Sequence, residues 1–213
     1  MMQHAALVII DMQRDFCCTG GYADRAGLDI AALARPIAPI ARLAARFRAA
    51  GRTIIYTREG HRADLADCTP AKLRRSTEAG APIGSAGPLG RALVRGEYGH
   101  GIVDELSPAP GDIIIDKPGY SAFHATDLDH ILRARRIETL VLTGVTTDVC
   151  VHSTLRSAID RGYECVTISD ATACHDPAIQ RAMLGLIAGE ANIFGAVITA
   201  DAVCARLDQP VLA

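Results

Sequence analysis

Three residues whose types carry covalent chemistry follow short apolar runs in this chain: Asp11, Lys117 and Cys150. Each run has the length and composition of a buried parallel strand. Because the carboxyl ends of parallel strands lie along one edge of a sheet, the three side chains can converge although they are far apart in the sequence. The pattern therefore predicts one site that combines a thiol, a carboxylate and an ammonium group.

Cys150 is the candidate nucleophile, and its neighbours predict how the chain presents it. Residues 140–162, LVLTGVTTDVCVHSTLRSAIDRG, are typical of a strand, a tight turn and a helix. Thr146 and Thr147 are residue types that cap helix N-termini, so Cys150 falls near the first helical turn. Free N–H groups and the positive helix end at that place favour a thiolate. A buried structural cysteine is the alternative interpretation.

Asp11 and Lys117 supply the groups that such a thiol needs. In this hypothesis the Asp11 carboxylate takes the thiol proton and later returns it to a leaving amine. The Lys117 ammonium lowers the pKa of both acidic groups by its opposite charge. Backbone N–H groups before Cys150 would hold an oxyanion, and the site would hydrolyse an amide C–N bond without a metal. A turn-capping Asp11 and a solvated Lys117 remain the simpler alternatives.

The elements that must position these residues alternate between strands and helices. Helical spacing covers approximately residues 36–51, 127–133, 146–162, 180–188 and 200–207, and strand patterns cover residues 6–10, 53–56, 112–115, 140–142, 165–169 and 196–198. This alternation predicts a three-layer α/β/α fold, with a mostly parallel sheet of about six strands and helices on both faces. Residues 1–213 are expected to form a single domain, with a long irregular lid or interface segment at residues 62–101.

Composition narrows the class of function. The chain has 213 residues, a net charge of −2 and interspersed charges, which argues against a nucleic-acid or membrane-surface protein. No apolar run is long enough to span a bilayer, and the first residues do not have the pattern of a signal peptide. Seven cysteines without repeated spacing predict reduced thiols and a cytoplasmic location. Neither a dinucleotide-binding fingerprint nor a phosphate-binding loop motif is present, which disfavours nucleotide chemistry.

The sequence resembles the isochorismatase-like cysteine hydrolases. Three segments carry the resemblance: ALVIIDMQRDF around Asp11, IDKPGYSAF around Lys117 and TGVTTDVCVHSTLRSAIDRGY around Cys150. The resemblance implies a catalytic triad of these three residues, and a cis peptide between Val145 and Thr146. It also implies an oxyanion hole made by the N–H groups of Thr146 and Cys150. No cofactor is implied, and the expected partners are a small ureide and copies of the same chain, with a homotetramer favoured.

Within this family the sequence looks most like the biuret amidohydrolase branch. True isochorismatases lack the cysteine, and the metal-ligand set of nicotinamidases is missing after the second strand, so no metal is expected. Tyr120 stands where biuret hydrolases typically carry a lysine, and Glu190 stands where they carry a glutamine. Since Glu190 would accept hydrogen bonds from an N–H-rich neutral substrate, biuret or triuret is predicted ahead of ureidoacrylate. A carboxylate substrate would need Arg58 or another cation.

The resulting prediction is a metal-independent cysteine amidohydrolase that releases ammonia through a thioester-type intermediate on Cys150. Two alternatives stay open: a ureidoacrylate or N-carbamoyl-amino-acid amidohydrolase, and a catalytically silent redox or binding protein with the same fold. The residues expected to contact the substrate are Phe16, Arg58, Glu59, Tyr120, Thr147 and Glu190.

Overall fold

A six-stranded parallel sheet forms the centre of the computed structural model, which describes residues 2–207. In chain order the strands are β1 (Ala5–Ile10), β2 (Thr53–Glu59), β3 (Ala86–Gly87), β4 (Gly90–Arg91), β5 (Ile113–Lys117), β6 (Thr139–Val145), β7 (Glu164–Ala173) and β8 (Ala196–Ile198). The central sheet has the spatial order β5-β2-β1-β6-β7-β8, and each neighbouring pair is parallel. Strands β3 and β4 form a small antiparallel pair of their own.

Helices cover both faces of the sheet, so the predicted α/β/α fold class is confirmed. They are α1 (Arg14–Cys17), α2 (Tyr22–Arg25), α3 (Ile30–Ala34), α4 (Ile37–Ala49), α5 (Pro70–Glu78), α6 (Leu128–Ala134), α7 (His152–Ile159), α8 (Pro177–Ile187) and α9 (Ala200–Leu207). Helices α4 and α9 pack on one face, and α6, α7 and α8 contribute buried residues to the core on the other.

Strand β1 is central because its side chains enter both cores. All six of its residues are buried. Successive side chains point to opposite faces of a sheet. Leu7 and Ile9 accordingly join the core under α4, whereas Val8 and Ile10 join the core under α6 and α7. A strand buried on both faces must be apolar at every position, which is why a continuous apolar run predicted it.

The segment predicted as irregular, residues 62–101, contains helix α5 and the β3–β4 pair. The Thr69 side chain caps α5 by accepting a hydrogen bond from the Lys72 N–H at 3.3 Å. Leu73 is the one large apolar residue in this helix, so hydrophobic periodicity did not reveal it. Gln13 Nε2 donates to the carbonyl of His100 at 3.0 Å, and Asp15 Oδ2 accepts from the Leu93 N–H at 2.9 Å. These buried bonds fasten the segment to the loop after β1.

No helix within residues 2–207 combines the length and the apolar character needed to cross a membrane.

Exposed apolar side chains lie on α8, at Ile179 and Leu186, and beyond it at Ile193. The homotetramer and the cytoplasmic location stay predictions. Of the predicted domain, Met1 and residues 208–213 lie outside the described residues.

Gly144 lies where β6 passes closest to β1. Its φ is +105°, and a Cβ atom there would stand 2.0 Å from the Ile10 carbonyl oxygen. Asp11 follows Ile10 directly, so any side chain at position 144 would displace the backbone that carries the candidate carboxylate.

We expect Gly144→Ala to lower the free energy of unfolding by more than about 1 kcal/mol, because it combines a left-handed φ with a backbone clash. Urea denaturation measures this. The matched control is Gly111→Ala, where φ is +97° but nothing lies within 4 Å of the added Cβ. Equal destabilisation by the two substitutions would contradict the claim that the β1–β6 contact requires glycine.

Candidate active site

The structure brings the three chemically active residues together around the buried ammonium of Lys117. Its Nζ lies 2.7 Å from Asp11 Oδ2, 3.6 Å from Cys150 Sγ and 2.8 Å from the Gly119 carbonyl oxygen, to which it donates. A fourth group, Glu59, places Oε2 3.2 Å from the same nitrogen. In the parallel sheet Glu59 pairs with Lys117, and Ile10, the residue before Asp11, pairs with Gly144 of β6. The ends of these strands therefore lie at one edge of the sheet, where the four side chains meet.

Asp11 is held in place by strand β2. Its backbone adopts a left-handed conformation, with φ of +52°, which Asp tolerates better than most residues. The Asp11 N–H donates to the Thr57 carbonyl at 3.2 Å, and the Thr57 hydroxyl donates to Asp11 Oδ1 at 2.6 Å. With Lys117 at Oδ2, both carboxylate oxygens of this fully buried side chain have partners.

Glu59 is the last residue of β2 and points to the same face as Thr57, two residues earlier. Its Oε1 lies 2.6 Å from the Lys72 ammonium, and its Oε2 accepts from the Cys150 thiol at 3.3 Å. Glu59 was predicted to contact substrate. The structure places it inside the ionic cluster, between two lysines and the candidate nucleophile.

Cys150 is presented by a π-helical turn, Thr147–Val151, that leads into α7. Insertions of this kind occur often at functional sites. The peptide bond between Val145 and Thr146 is cis, as the family resemblance implied. Thr146 and Cys150 both line the same cavity, so the N–H groups proposed for the oxyanion hole belong to residues that border it.

The pKa shifts differ from those expected from the sequence. Burial raises the pKa of Asp11 above its usual 3.8 despite the Lys117 charge. Burial, reinforced by the Asp11 and Glu59 carboxylates, raises the pKa of the Cys150 thiol well above 9.0. Lys117 does lower both pKa values by its charge, as expected, but removal of the two groups from water raises them by more. Cys150 is therefore a thiol at rest, and as a nucleophile it would have to lose its proton during the attack.

The pKa of Glu59 moves the opposite way. Burial would raise it, but the ammonium groups of Lys117 and Lys72 outweigh burial and lower this pKa to about 2. Two neighbouring carboxylates with diverging pKa values take different roles in acid–base chemistry. Asp11, with the raised pKa, is suited to carry a proton. Glu59 stays an anion.

Asp11, Glu59 and Cys150 also form the one group within residues 2–207 whose ligand atoms could hold a metal ion. Lys117 Nζ lies within 3.6 Å of all three side chains and already supplies the positive charge they need. The donor set is thus occupied by an ammonium group, and it fits a metal ion poorly.

A cavity of about 290 Å³ opens in front of Cys150. Glu59 and Thr146 border it together with the thiol. Apolar side chains, including Phe16 and Ile83, form much of the remaining wall, and one face of α5 closes it. The lining residues are Phe16, Tyr22, Leu28, Glu59, Lys72, Arg75, Ser76, Ala79, Ile83, Tyr120, Thr146, Val149 and Cys150.

The predicted substrate-binding residues divide into two sets. Phe16, Glu59 and Tyr120 line the cavity. Thr147 is fully buried and does not border the cavity.

Arg58 and Glu190 do not reach the cavity either. Arg58 follows Thr57 on the opposite face of β2, where it forms a bidentate pair with Asp116 at 2.7 and 3.0 Å. Glu190 is exposed in a short 3-10 turn after α8. Strand alternation excludes Arg58, and the position of the turn excludes Glu190 within one chain.

Sequence reasoning missed Thr57, Lys72 and Arg75. Thr57 could have been found from period two in β2, once Glu59 was assigned to the site. Lys72 and Arg75 belong to α5, whose polar sequence carries few signals beyond the Thr69–Pro70 start. Lys72 lies only 8% exposed, which is unusual for lysine and marks its pairing with Glu59.

The chain is similar in sequence to proteins that are named amidohydrolases. Ureidoacrylate amidohydrolase RutB of Serratia proteamaculans is 36% identical over 211 residues, covering 98% of this chain and 84% of the relative. The protein of the same name from an Enterobacter species is 36% identical over 214 residues, covering 99% and 92%.

Solved structures show the same fold. A cysteine hydrolase from Pseudomonas syringae pv. phaseolicola superposes with a TM-score of 0.81 and 30% identity, over 96% of this chain and 92% of the other. N-carbamoylsarcosine amidase from Thermoplasma acidophilum gives a TM-score of 0.71 and 27% identity, over 93% and 98%. Residues 5–202 match the Isochorismatase domain family, and the chain belongs to that family.

Proposed function

We propose that this protein is a cysteine amidohydrolase that cleaves a C–N bond of a small ureide, and that its preferred substrate carries a carboxylate, as ureidoacrylate does. One observation carries the proposal. The Cys150 thiol borders a cavity, lies 3.6 Å from Lys117 Nζ and donates to Glu59 Oε2 at 3.3 Å, while Asp11 is paired with the same lysine at 2.7 Å. This arrangement contains a nucleophile, a proton carrier and a counter-charge in one place.

The first step joins Cys150 Sγ to the ureido carbonyl carbon. As the S–C bond forms, Asp11 takes the thiol proton, and the carbonyl oxygen becomes an oxyanion. The N–H groups of Thr146 and Cys150 are assigned to hold that oxyanion. Asp11 then gives its proton to the leaving nitrogen, the C–N bond breaks, and ammonia departs from a thiocarbamate on Cys150.

The second step returns the enzyme to its resting state. Water attacks the thiocarbamate carbon and loses a proton to Asp11, the C–S bond breaks, and the thiolate regains that proton. The products are ammonia and the carbamate of the remaining amine. Lys117 stays protonated throughout, because Asp11, Cys150 and Glu59 hold its pKa above the usual value against the effect of burial.

Glu59 suits the recognition of the ureido group. A ureide presents several N–H donors and one carbonyl, and an anion that stays ionised accepts hydrogen bonds from those donors. Since Glu59 Oε2 already lies 3.3 Å from Cys150 Sγ, a donor bound to Glu59 would stand next to the attacking sulfur. Glu59 would then orient the substrate, whereas Asp11 would move the proton.

The preference for a carboxylate rests on the relatives and on the cavity wall. The relatives above are named ureidoacrylate amidohydrolases, and besides Lys72, which is paired with Glu59, the wall carries a second cation, Arg75. The sequence favours biuret or triuret as substrate because Glu190 would accept hydrogen bonds from a neutral ureide. Glu190 lies outside the cavity, so this reason no longer holds, and the neutral ureides become the second candidates.

Cys150→Ala is expected to lower ammonia release from ureidoacrylate by at least about 1,000-fold, because no other thiol borders the reacting carbon. Ammonia release from ureidoacrylate, biuret and triuret measures both the loss and the substrate preference. Cys204→Ala, on α9, is the matched control and should retain full activity. Unchanged turnover in Cys150→Ala would exclude the proposed nucleophile, and wild-type silence on all three ureides would favour the binding or redox alternative.

Activity should fall on the acid side as Asp11 becomes protonated. Because burial raises the pKa of Asp11, kcat/KM is expected to decline with falling pH at values above the usual 3.8. Glu59, with a pKa of about 2, does not titrate in that range. A pH profile of Glu59→Gln should therefore keep the acid limb at a reduced rate, whereas residual activity of Asp11→Asn should lack it. If Glu59→Gln loses the acid limb, Glu59 and not Asp11 transfers the proton, and the assignment to Asp11 is wrong.

A further inference from the structure

One face of α5 forms a wall of the active-site cavity. Lys72, Arg75, Ser76 and Ala79 recur every three or four residues, which places them on one side of the helix, and all four line the cavity. Arg74, the intervening residue, points to solvent and stands 3.9 Å from Glu78 on the same helix. The segment predicted as a lid thus contributes a defined surface to the site.

The two cations on this wall, Lys72 and Arg75, differ in the number of hydrogen-bond and ion-pair partners that their side chains have. The Lys72 ammonium lies 2.6 Å from Glu59 Oε1 and donates to the Pro118 carbonyl at 2.7 Å. The ring of Tyr120 covers it at 5.0 Å. The Lys72 ammonium is therefore paired with Glu59, and a substrate carboxylate could bind Lys72 only by competing with that ion pair.

The Arg75 side chain is not paired in this way. Within residues 2–207 no carboxylate lies at ion-pair distance from its guanidinium, and its side chain makes no hydrogen bond. It lines the active-site cavity and also a second, adjoining cavity of about 360 Å³, at the wall the two share through Lys72 and Tyr120. A guanidinium offers a planar pair of donors that matches a carboxylate.

The charges in the cavity set the direction in which an anionic ureide can bind. Glu59 repels a carboxylate from the end of the cavity where Cys150 lies and attracts N–H groups there. Lys117 is neutralised by Asp11 and Lys72 by Glu59. Apolar side chains such as Phe16 and Ile83 suit the carbon chain between the two ends of the substrate.

We propose that Arg75 binds the carboxylate of the substrate and selects anionic ureides over neutral ones. The proposal rests on the proposed ureide amidohydrolase function and assigns its substrate class to one side chain. Arg75 would then determine substrate specificity. It contacts the end of the substrate remote from the reacting carbon, so its loss should act on binding more than on turnover.

The test compares 3-ureidopropionate with its neutral primary amide on wild-type protein and on Arg75→Gln. The ratio of kcat/KM for the acid to that for the amide is expected to fall by about 10-fold in Arg75→Gln, through the KM of the acid. Raising the ionic strength should increase that KM in the wild type and have little effect on it in the variant. Arg74→Gln, the matched control, should leave the ratio unchanged. Equal losses for both probes, or no loss, would overturn the proposal.

Binding to Cys150→Ala separates this subsite from the reaction. Calorimetry should give a Kd for 3-ureidopropionate about 10-fold higher when Arg75→Gln is added. If the wild type releases ammonia neither from the two probes nor from ureidoacrylate, biuret and triuret, but this difference remains, the amidohydrolase proposal fails and the carboxylate subsite stands. If ammonia is released but neither kinetics nor binding depends on Arg75, the function stands and the subsite fails.

Discussion

The fully buried ammonium of Lys117 is the constraint on which the rest of the site depends. A charge removed from water is tolerated only when partners replace the lost hydration. Asp11, Glu59 and the Gly119 carbonyl provide that replacement at 2.7, 3.2 and 2.8 Å. Those partners follow or end three different strands, so the register of β1, β2 and β5 is tied to the ionic cluster. Glu59 in turn requires Lys72, which draws α5 against the sheet.

The same cluster determines the chemistry that is available. Burial alone would push both carboxylates toward the neutral form. The pKa of Glu59 is nevertheless lowered because two lysines face it, whereas Asp11 faces only Lys117 and its pKa is raised. One fold thereby creates a permanent anion and a proton carrier side by side. Burial keeps the Cys150 thiol neutral at rest, so in the proposed mechanism it becomes a nucleophile only when Asp11 takes its proton.

The sequence predicted the parts of this site that reside in apolar runs and their ends. The run before Asp11, the run before Lys117 and the strand–turn–helix around Cys150 all lie where expected, since a strand buried on both faces leaves a clear pattern. Arg58 was misplaced because one residue of shift in a strand exchanges its two faces. Helix α5 and its cations were missed because few apolar residues mark that helix. The pKa directions depend on burial, which only the assembled structure shows.

If Cys150 is the covalent nucleophile, a reaction intermediate attached to its sulfur can be trapped. Wild-type protein is mixed with ureidoacrylate, quenched in acid within the first turnover, digested and measured by mass spectrometry. A transient mass increase, equal to substrate minus ammonia, is expected on the peptide that contains Cys150 and on no other cysteine peptide. Turnover with an adduct on a different residue, or rapid turnover in which quenching at successive times never finds an adduct on Cys150, would contradict that role of Cys150.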